Sequence, residues 1–232
     1  MDDKILAGST AQTSESNFIS KVFLWMAGGL GLSGLASFWL LCQPDLMRAI
    51  LTNNILLIGL VLAELGLVVW LSAAVMKMSS AMAMSLFAAY SLLNGITLTP
   101  IFYLYTTASI WTTFLVTAGT FFFFSVYGLT TKKDLTSVGS LAMMGLIGMI
   151  IASVINIFLK SPMLMWVCTF IGIAVFLGLI AYDTQKLKAM HAMGFQDAQL
   201  EKKMVVLGAL ALYLDFINLF ILLLRIFGRR RD

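Results

Sequence analysis

Two aspartates lie in strongly apolar stretches of the chain: Asp183 at the end of the sixth stretch and Asp215 in the middle of the seventh. An ionised carboxylate in hydrocarbon costs at least about 2.5 kcal/mol on insertion scales, so one that is retained there usually marks a proton or ion pathway. Two carboxylates that meet in a dry site cannot both ionise cheaply, so they would share one proton and titrate jointly. Proton binding and weak cation coordination are therefore the chemistry that these residues predict.

Other polar side chains accompany the pair. Asn218 shares one helical stripe with Asp215, while Glu64, Asn94 and Asn156 lie in the second, third and fifth apolar stretches. We predict that these four residues line an oxygen-rich route or form a latch. The plainer alternative is that Asp215 hydrogen-bonds to a neighbouring Asn or Tyr and only stabilises the helices.

Composition gives the class of element that must position these residues. The chain of 232 residues is 60% hydrophobic and only 11% charged, which is typical of an integral membrane protein. Hydropathy predicts seven stretches that can each cross a hydrocarbon layer of about 30 Å as a helix. They are 22–41, 55–76, 81–103, 110–129, 141–159, 163–182 and 204–227. The predicted fold class is all-α, with seven transmembrane helices and short connections.

Loop charges predict the orientation. With the N-terminus in the cytoplasm, the inner loops carry seven lysines, whereas the outer loops carry only Arg48 and Lys160. We predict a polar cytoplasmic N-terminus over 1–21, a single transmembrane domain over 22–228 and a basic tail over 229–232. The first span lacks a signal-peptide cleavage site and is expected to stay in the mature protein. The basic tail suggests that the seventh stretch enters and returns, but its length favours a full crossing.

Three further patterns have plain explanations. The sequence Gly29-Leu30-Gly31-Leu32-Ser33-Gly34 matches the dinucleotide-binding fingerprint, but it lies in a membrane helix, where we expect Ala27, Gly31 and Gly34 to support close helix packing. One histidine, His191, cannot make a His-based metal site and is expected to be a solvated loop residue. The tail arginines are expected to contact lipid headgroups, and no nucleic-acid partner is predicted.

Several motifs together resemble one family. They are Ala181-Tyr182-Asp183-Thr184-Gln185-Lys186-Leu187-Lys188, the segments 211–220 and 224–228, and the loop 127–134. The chain resembles the Bax inhibitor-1 family, also called the TMBIM family, over essentially all seven spans. Its bacterial inner-membrane branch is the most similar.

This resemblance implies six helices around a central seventh, and a calcium leak controlled by a pH-sensing pair at Asp183 and Asp215. Calcium usually takes six to eight oxygen ligands, so the pair would bind it only weakly and transiently. It implies no enzyme activity and no cofactor, with calcium as the permeant ion and a bacterial inner membrane as the location. Some members carry an arginine on the second span that holds the closed state. Glu64 is the only charged residue within that span here, so no arginine latch is predicted.

Simple spacing does not make the two aspartates neighbours. Asp183 lies three residues before Lys186, whereas Asp215 lies twelve residues after Lys203, or about 18 Å along a helix. Pairing would require the seventh helix to begin outside the hydrocarbon, to tilt, or to be covered at its entrance by the loop 184–203.

Two other functions remain open. An intramembrane aspartyl protease also places a Tyr-Asp pair on its sixth helix, but its Gly-x-Gly-Asp motif is absent around Asp215. The resemblance also includes regulators of cell death or stress responses and of a membrane protease. In that alternative the loop 185–203 and the N-terminus would be docking surfaces, and a membrane protease complex would be the partner.

Overall fold

The computed structural model describes residues 2–192 and 194–231, and the side chains of 14–50, 52–192 and 194–231. The predicted polar N-terminus and basic tail lie partly outside these residues. Within this described part, the chain forms eight α-helices. They are α1 (Asp2–Leu41), α2 (Pro44–Thr52), α3 (Asn54–Ala74), α4 (Ser80–Leu104), α5 (Thr107–Thr130), α6 (Thr136–Leu159), α7 (Pro162–Ala192) and α8 (Ala198–Phe227).

Seven of these helices are long and apolar enough to cross a membrane, which confirms the predicted all-α membrane class. Only α2 among the eight is too short to span, and hydropathy did not predict it. It begins with Pro44, whose missing N–H and fixed φ suit the first turn of a helix. After α3, a single 3₁₀ turn at Val75–Lys77 leads towards α4.

The first of two compact units contains the chain up to Leu104 together with Met190–Tyr213 and Arg231. Within it, α1 packs closely on α4, because a Cβ at Gly95 would overlap with the carbonyl of Ser33. Ser37 donates to the carbonyl of Gly95 at 2.5 Å. The predicted packing residues were wrong: Ala27, Gly31 and Gly34 are exposed, and the face that meets α4 instead carries Gly29, Ser33 and Ser37.

The second unit contains Tyr105–Ala189 together with Leu214–Arg230. Small residues again allow its helices to approach each other. A Cβ at Gly128 of α5 would overlap with the carbonyl of Ala181 on α7, and one at Gly172 of α7 would lie 2.9 Å from Leu222 on α8. Such contacts fix the backbone of α7 on two sides.

The last helix, α8, is unbroken from Ala198 to Phe227, so the alternative in which this segment enters and returns is wrong. Its apolar window is 72% buried, more than that of the other six spans, as expected of a central seventh helix. Beyond it, the chain pairs with the connection between α4 and α5, where Thr106 donates its N–H to the carbonyl of Arg229 at 2.9 Å. The tail therefore lies at the same end as that connection.

Candidate functional site

Asp183 lies on a part of α7 that two glycines hold in place. Gly128 of α5 faces the carbonyl of Ala181, and Gly139 of α6 faces the ring of Tyr182, each at a distance that leaves no room for a Cβ. These two contacts come directly before Asp183 in the chain. The position of its carboxyl group is therefore set by the packing of α5 and α6 against α7.

The residues after Asp183 are also anchored. The side chain of Gln185 donates to the carbonyl of Lys133 at 2.8 Å and accepts from the N–H of Leu135 at 2.8 Å. It thereby holds the loop between α5 and α6 to α7. Thr184, next to Asp183, is fully buried and bonds to the carbonyl of Ile180 in its own helix.

Asp215 is the buried member of the pair, with only 5% of its surface exposed. The next residue of α8, Phe216, packs edge-on against Phe114 and Phe121 of α5, with centroid separations of 5.5 Å. Nine residues after Phe216 on α8, Arg225 donates to the hydroxyl of Thr169 on α7 at 3.1 Å. Aromatic and polar contacts thus hold this half of α8 in the second unit.

The structure brings Asp183 and Asp215 together, so that their carboxyl groups interact directly. A carboxylate only accepts hydrogen bonds, so a bond between two carboxyl groups requires a proton on one of them. The Oδ2 atom of Asp215 is buried and has no partner among the described residues. Lys186, one turn along α7, is the cation that interacts with Asp183.

Glu64 and Asn94 are brought together in the first unit. Asn94 donates to Glu64 at 3.4 Å, and Thr97 lies 2.5 Å from the other carboxyl oxygen of Glu64. Tyr213, which sequence reasoning did not select, donates to Asn94 at 2.8 Å and is fully buried. Its position two residues before Asp215, in the middle of an apolar helix, was the available signal.

The other two residues predicted to line the route, Asn218 and Asn156, form hydrogen bonds with nearby backbone. Asn218 donates to the carbonyl of Leu214 in its own helix at 2.8 Å. Asn156 accepts from the N–H of Ser161 at 2.9 Å and so closes the connection between α6 and α7. Among the described residues, these hydrogen bonds join neither asparagine to the aspartate pair.

His191 is not the solvated loop residue that the sequence predicts. It lies near the end of α7, with its ring stacked on Phe18 at 5.5 Å and close to Phe195 at 5.8 Å. Its Nδ1 atom is buried without a partner among the described residues. The helix extends further past Asp183 than the hydropathy pattern indicates, and this extension carries His191 into an aromatic cluster.

Carboxylates are the groups here that can hold a cation. No group of three or more His, Cys, Asp or Glu side chains forms a metal site within the described residues. Asp183 and Asp215 alone supply too few oxygens for the six to eight ligands of a tight calcium site. The arrangement suits proton binding and brief contact with a passing cation.

Comparisons with known proteins agree with this architecture. The family model described as "Inhibitor of apoptosis-promoting Bax1" matches residues 15–232. The inner membrane protein YbhL of Escherichia coli strain K12 is 49% identical over 215 residues, which cover 92% of each chain. An uncharacterized protein of Borreliella burgdorferi is 43% identical over 218 residues, or 94% of each chain. The uncharacterized protein RP147 of Rickettsia prowazekii is 40% identical over 215 residues, which cover 93% of this chain and 90% of that protein.

Proposed function

Because the chain belongs to the Bax inhibitor-1 family and is an integral membrane protein, we propose that it is a pH-sensitive cation leak gated by Asp183 and Asp215. Calcium is the proposed permeant ion and a bacterial inner membrane the proposed location. The observation that supports this proposal is the contact between two carboxyl groups inside a membrane-spanning unit, one of them 5% exposed.

The gate follows from the proton that the pair shares. With one proton, the two carboxyl groups attract each other through a hydrogen bond and hold α7 to α8. When that proton leaves, two like charges face each other where water screens them little, and they repel. Since Gly128 and Gly139 fix α7, the separation would come from the half of α8 that carries Asp215. Protonation thus favours the closed arrangement and ionisation the open one.

The open arrangement also exposes the ligands that a cation prefers. Two ionised carboxylates present hard oxygen atoms, which suit calcium, and too few of them to trap it. Asp183 lies nine residues before the end of α7, on the side predicted to be cytoplasmic. The pH of the cytoplasm would therefore set the occupancy of the shared proton.

Calcium flux into liposomes that contain the purified protein tests this proposal, over roughly pH 6 to 8, where a carboxyl pair that shares one proton could titrate. The wild type is expected to show a flux that rises with pH, and Asp215→Asn is expected to abolish the flux or its pH dependence. Asp45→Asn, which removes the same charge from the exposed helix α2, is the matched control and should behave like the wild type.

The result that would overturn the leak is a flux no greater than that of empty liposomes at every pH. The regulator described above would then take its place. A regulatory effect that survives Asp183→Asn combined with Asp215→Asn would point to docking on a partner protein rather than to permeation.

A further inference from the structure

Glu64 lies at the centre of a membrane helix that is barely covered by the rest of the protein. It is the eleventh of the 21 residues of α3, so about 15 Å of helix separates it from each end. Only 6% of the apolar window of this helix is buried. The flanking Leu62 and Leu65 are 61% and 58% exposed, whereas Glu64 itself is half-buried. In a bilayer, its carboxyl group would therefore lie near mid-depth, on a helix whose flanking side chains face lipid.

No positive charge among the described residues compensates this carboxyl group. Glu64 has no ion pair with any described residue, and its partners are the hydroxyl of Thr97 and the amide of Asn94. The titratable groups that face it are the phenols of Tyr90 on α4 and Tyr213 on α8. Ordinary phenols are neutral at physiological pH. An ionised Glu64 would thus be an unpaired charge in hydrocarbon, which is the costly case.

The hydrogen-bond partners of Glu64 suit a carboxyl group that carries a proton. The hydroxyl of Thr97 has one hydrogen but two acceptors, because it lies 2.5 Å from Glu64 Oε1 and 3.0 Å from the carbonyl of Asn94. If Glu64 is ionised, Thr97 can serve only one of them. If Glu64 carries a proton, it donates to Thr97, and Thr97 donates to the carbonyl, so both contacts become hydrogen bonds.

The same chain of hydrogen bonds reaches α8. Tyr213 donates to Asn94 Oδ1 at 2.8 Å, and Asn94 Nδ2 donates to Glu64 Oε2 at 3.4 Å. Both bonds are kept when Glu64 is neutral, because the Oε2 atom of the acid still accepts from the amide of Asn94. Tyr213 Oη is in turn 2.6 Å from Ser33 on α1. The neutral acid therefore keeps the set of bonds across α3, α4, α8 and α1 in the first unit and lets Thr97 make both of its contacts as hydrogen bonds.

We propose that Glu64 is a proton-binding site: a neutral carboxylic acid, open to the lipid, that links α3 to α8 through Asn94 and Tyr213. It is separate from the aspartate pair and does not depend on the leak activity. Such a group is also a modification site for hydrophobic carbodiimides. The acid adds across one C=N bond of the reagent, its proton moves to nitrogen, and the acyl group then shifts to nitrogen to give a stable N-acylurea without a leaving group.

Labelling of the wild-type protein in liposomes with dicyclohexylcarbodiimide, followed by peptide mass spectrometry, tests the proposal. Glu64 is expected to be the main labelled carboxyl group at neutral pH, and labelling should fall as the pH is raised. A water-soluble carbodiimide with an aqueous amine should instead label exposed acids such as Asp45. Glu64→Gln should lose the hydrophobic label. The labelling should be unchanged in Asp215→Asn, so a failed leak and a failed Glu64 assignment give different results.

Two results would overturn the assignment: no labelling of Glu64 by the hydrophobic reagent at any pH, or preferential labelling by the water-soluble one. Infrared spectroscopy gives a second measurement that needs no reagent. The wild type should show a protonated-carboxyl C=O band that disappears in Glu64→Gln and shifts in Tyr213→Phe, because the latter removes the donor to Asn94. A Glu64→Gln spectrum identical to that of the wild type in this region would contradict a neutral Glu64.

Discussion

The polar residues of this protein differ in what surrounds them more than in their type. Asp183 and Asp215 face each other, Glu64 faces hydroxyl and amide groups, and Asn156 and Asn218 bond to nearby backbone. That each of them needs a polar partner could be predicted from the sequence, because a polar group in an apolar stretch is costly without one. Their partners could not be predicted, because a hydrogen bond between helices depends on helix rotation and depth, which a single sequence does not specify.

Asp134 offers a test at the scale of one residue. Its Oδ1 accepts from the hydroxyl of Thr136 at 2.6 Å and from the N–H of Thr136 at 2.9 Å, at the start of α6. These hydrogen bonds favour the charged form and lower the pKa of Asp134, first through the side chain of Thr136 and then through its backbone. A lowered pKa stabilises the fold above the unfolded-state pKa, and this contribution is lost as the pH falls through the folded-state pKa.

We therefore expect Asp134→Ala to lower the melting temperature at neutral pH and to lose this effect at a pH well below 4, the usual value for Asp. Asp134→Asn, which keeps an acceptor but no charge, should show a smaller decrease at neutral pH that also shrinks at low pH. Thermal unfolding in detergent, compared with the wild type at each pH, measures both. An equal difference between the wild type and Asp134→Ala at both pH values would show that the charge plays no part.

At the scale of elements, the seven spans could be predicted because hydrocarbon imposes a length and a composition on each. The ends of the helices could not, since helices continue into polar sequence. The segment of α7 extends to Ala192, ten residues beyond its predicted end at Tyr182, and α8 begins at Ala198, six residues before its predicted start at Met204. Nine residues of helix follow Asp183 and seventeen precede Asp215, so the two aspartates differ by eight residues, or about 12 Å, in distance from the facing helix ends. The packing of α7 against α8 brings the two aspartates together over this remaining distance, and residue spacing in the sequence does not specify that packing.

Close helix contacts are the second property of the elements, and glycine substitutions measure them. Gly128→Ala should destabilise the protein by about 1–3 kcal/mol, because its Cβ would overlap with the carbonyl of Ala181 and force α5 away from α7. Gly148→Ala on α6 is the matched control, since a Cβ there meets nothing within 4 Å and alanine is the better helix former. Unfolding in mixed detergent micelles compares the two, and equal losses of stability would contradict the assigned contact.

If the pair is the gate, Gly128→Ala has a functional consequence as well. Moving α7 at Ala181 would displace Asp183, two residues further on, and weaken its bond to Asp215. We expect the pH dependence of calcium flux to shift in Gly128→Ala and not in Gly148→Ala. A shift of equal size in both variants would indicate general loosening of the helices rather than displacement of the pair.

For the whole molecule, an odd number of crossings places the two ends of the chain on opposite sides of the membrane. The unbroken α8 and the bond from Thr106 to Arg229 put the tail at the connection between α4 and α5. Because the spans alternate in direction, Cys42, which directly follows α1, is predicted to lie on the same side of the membrane. The loop charges predict that this is the outer side, although the tail arginines alone would favour the inner one. The count of crossings outweighs those arginines, because turning back in mid-membrane would leave backbone groups unbonded.

The two natural cysteines test this orientation without any engineered probe. Cys42 is exposed at the end of α1, whereas Cys168 is buried within α7. A membrane-impermeant maleimide added to intact spheroplasts should therefore label the wild type at Cys42 and leave Cys168 unlabelled, and Cys42→Ser should remove the signal. Denaturation should make Cys168 reactive and confirm that the protein was present. Labelling of Cys42 only after the membrane is opened would place the N-terminus outside. Asp183 would then lie on the outer side, and external rather than cytoplasmic pH would set the protonation of the aspartate pair.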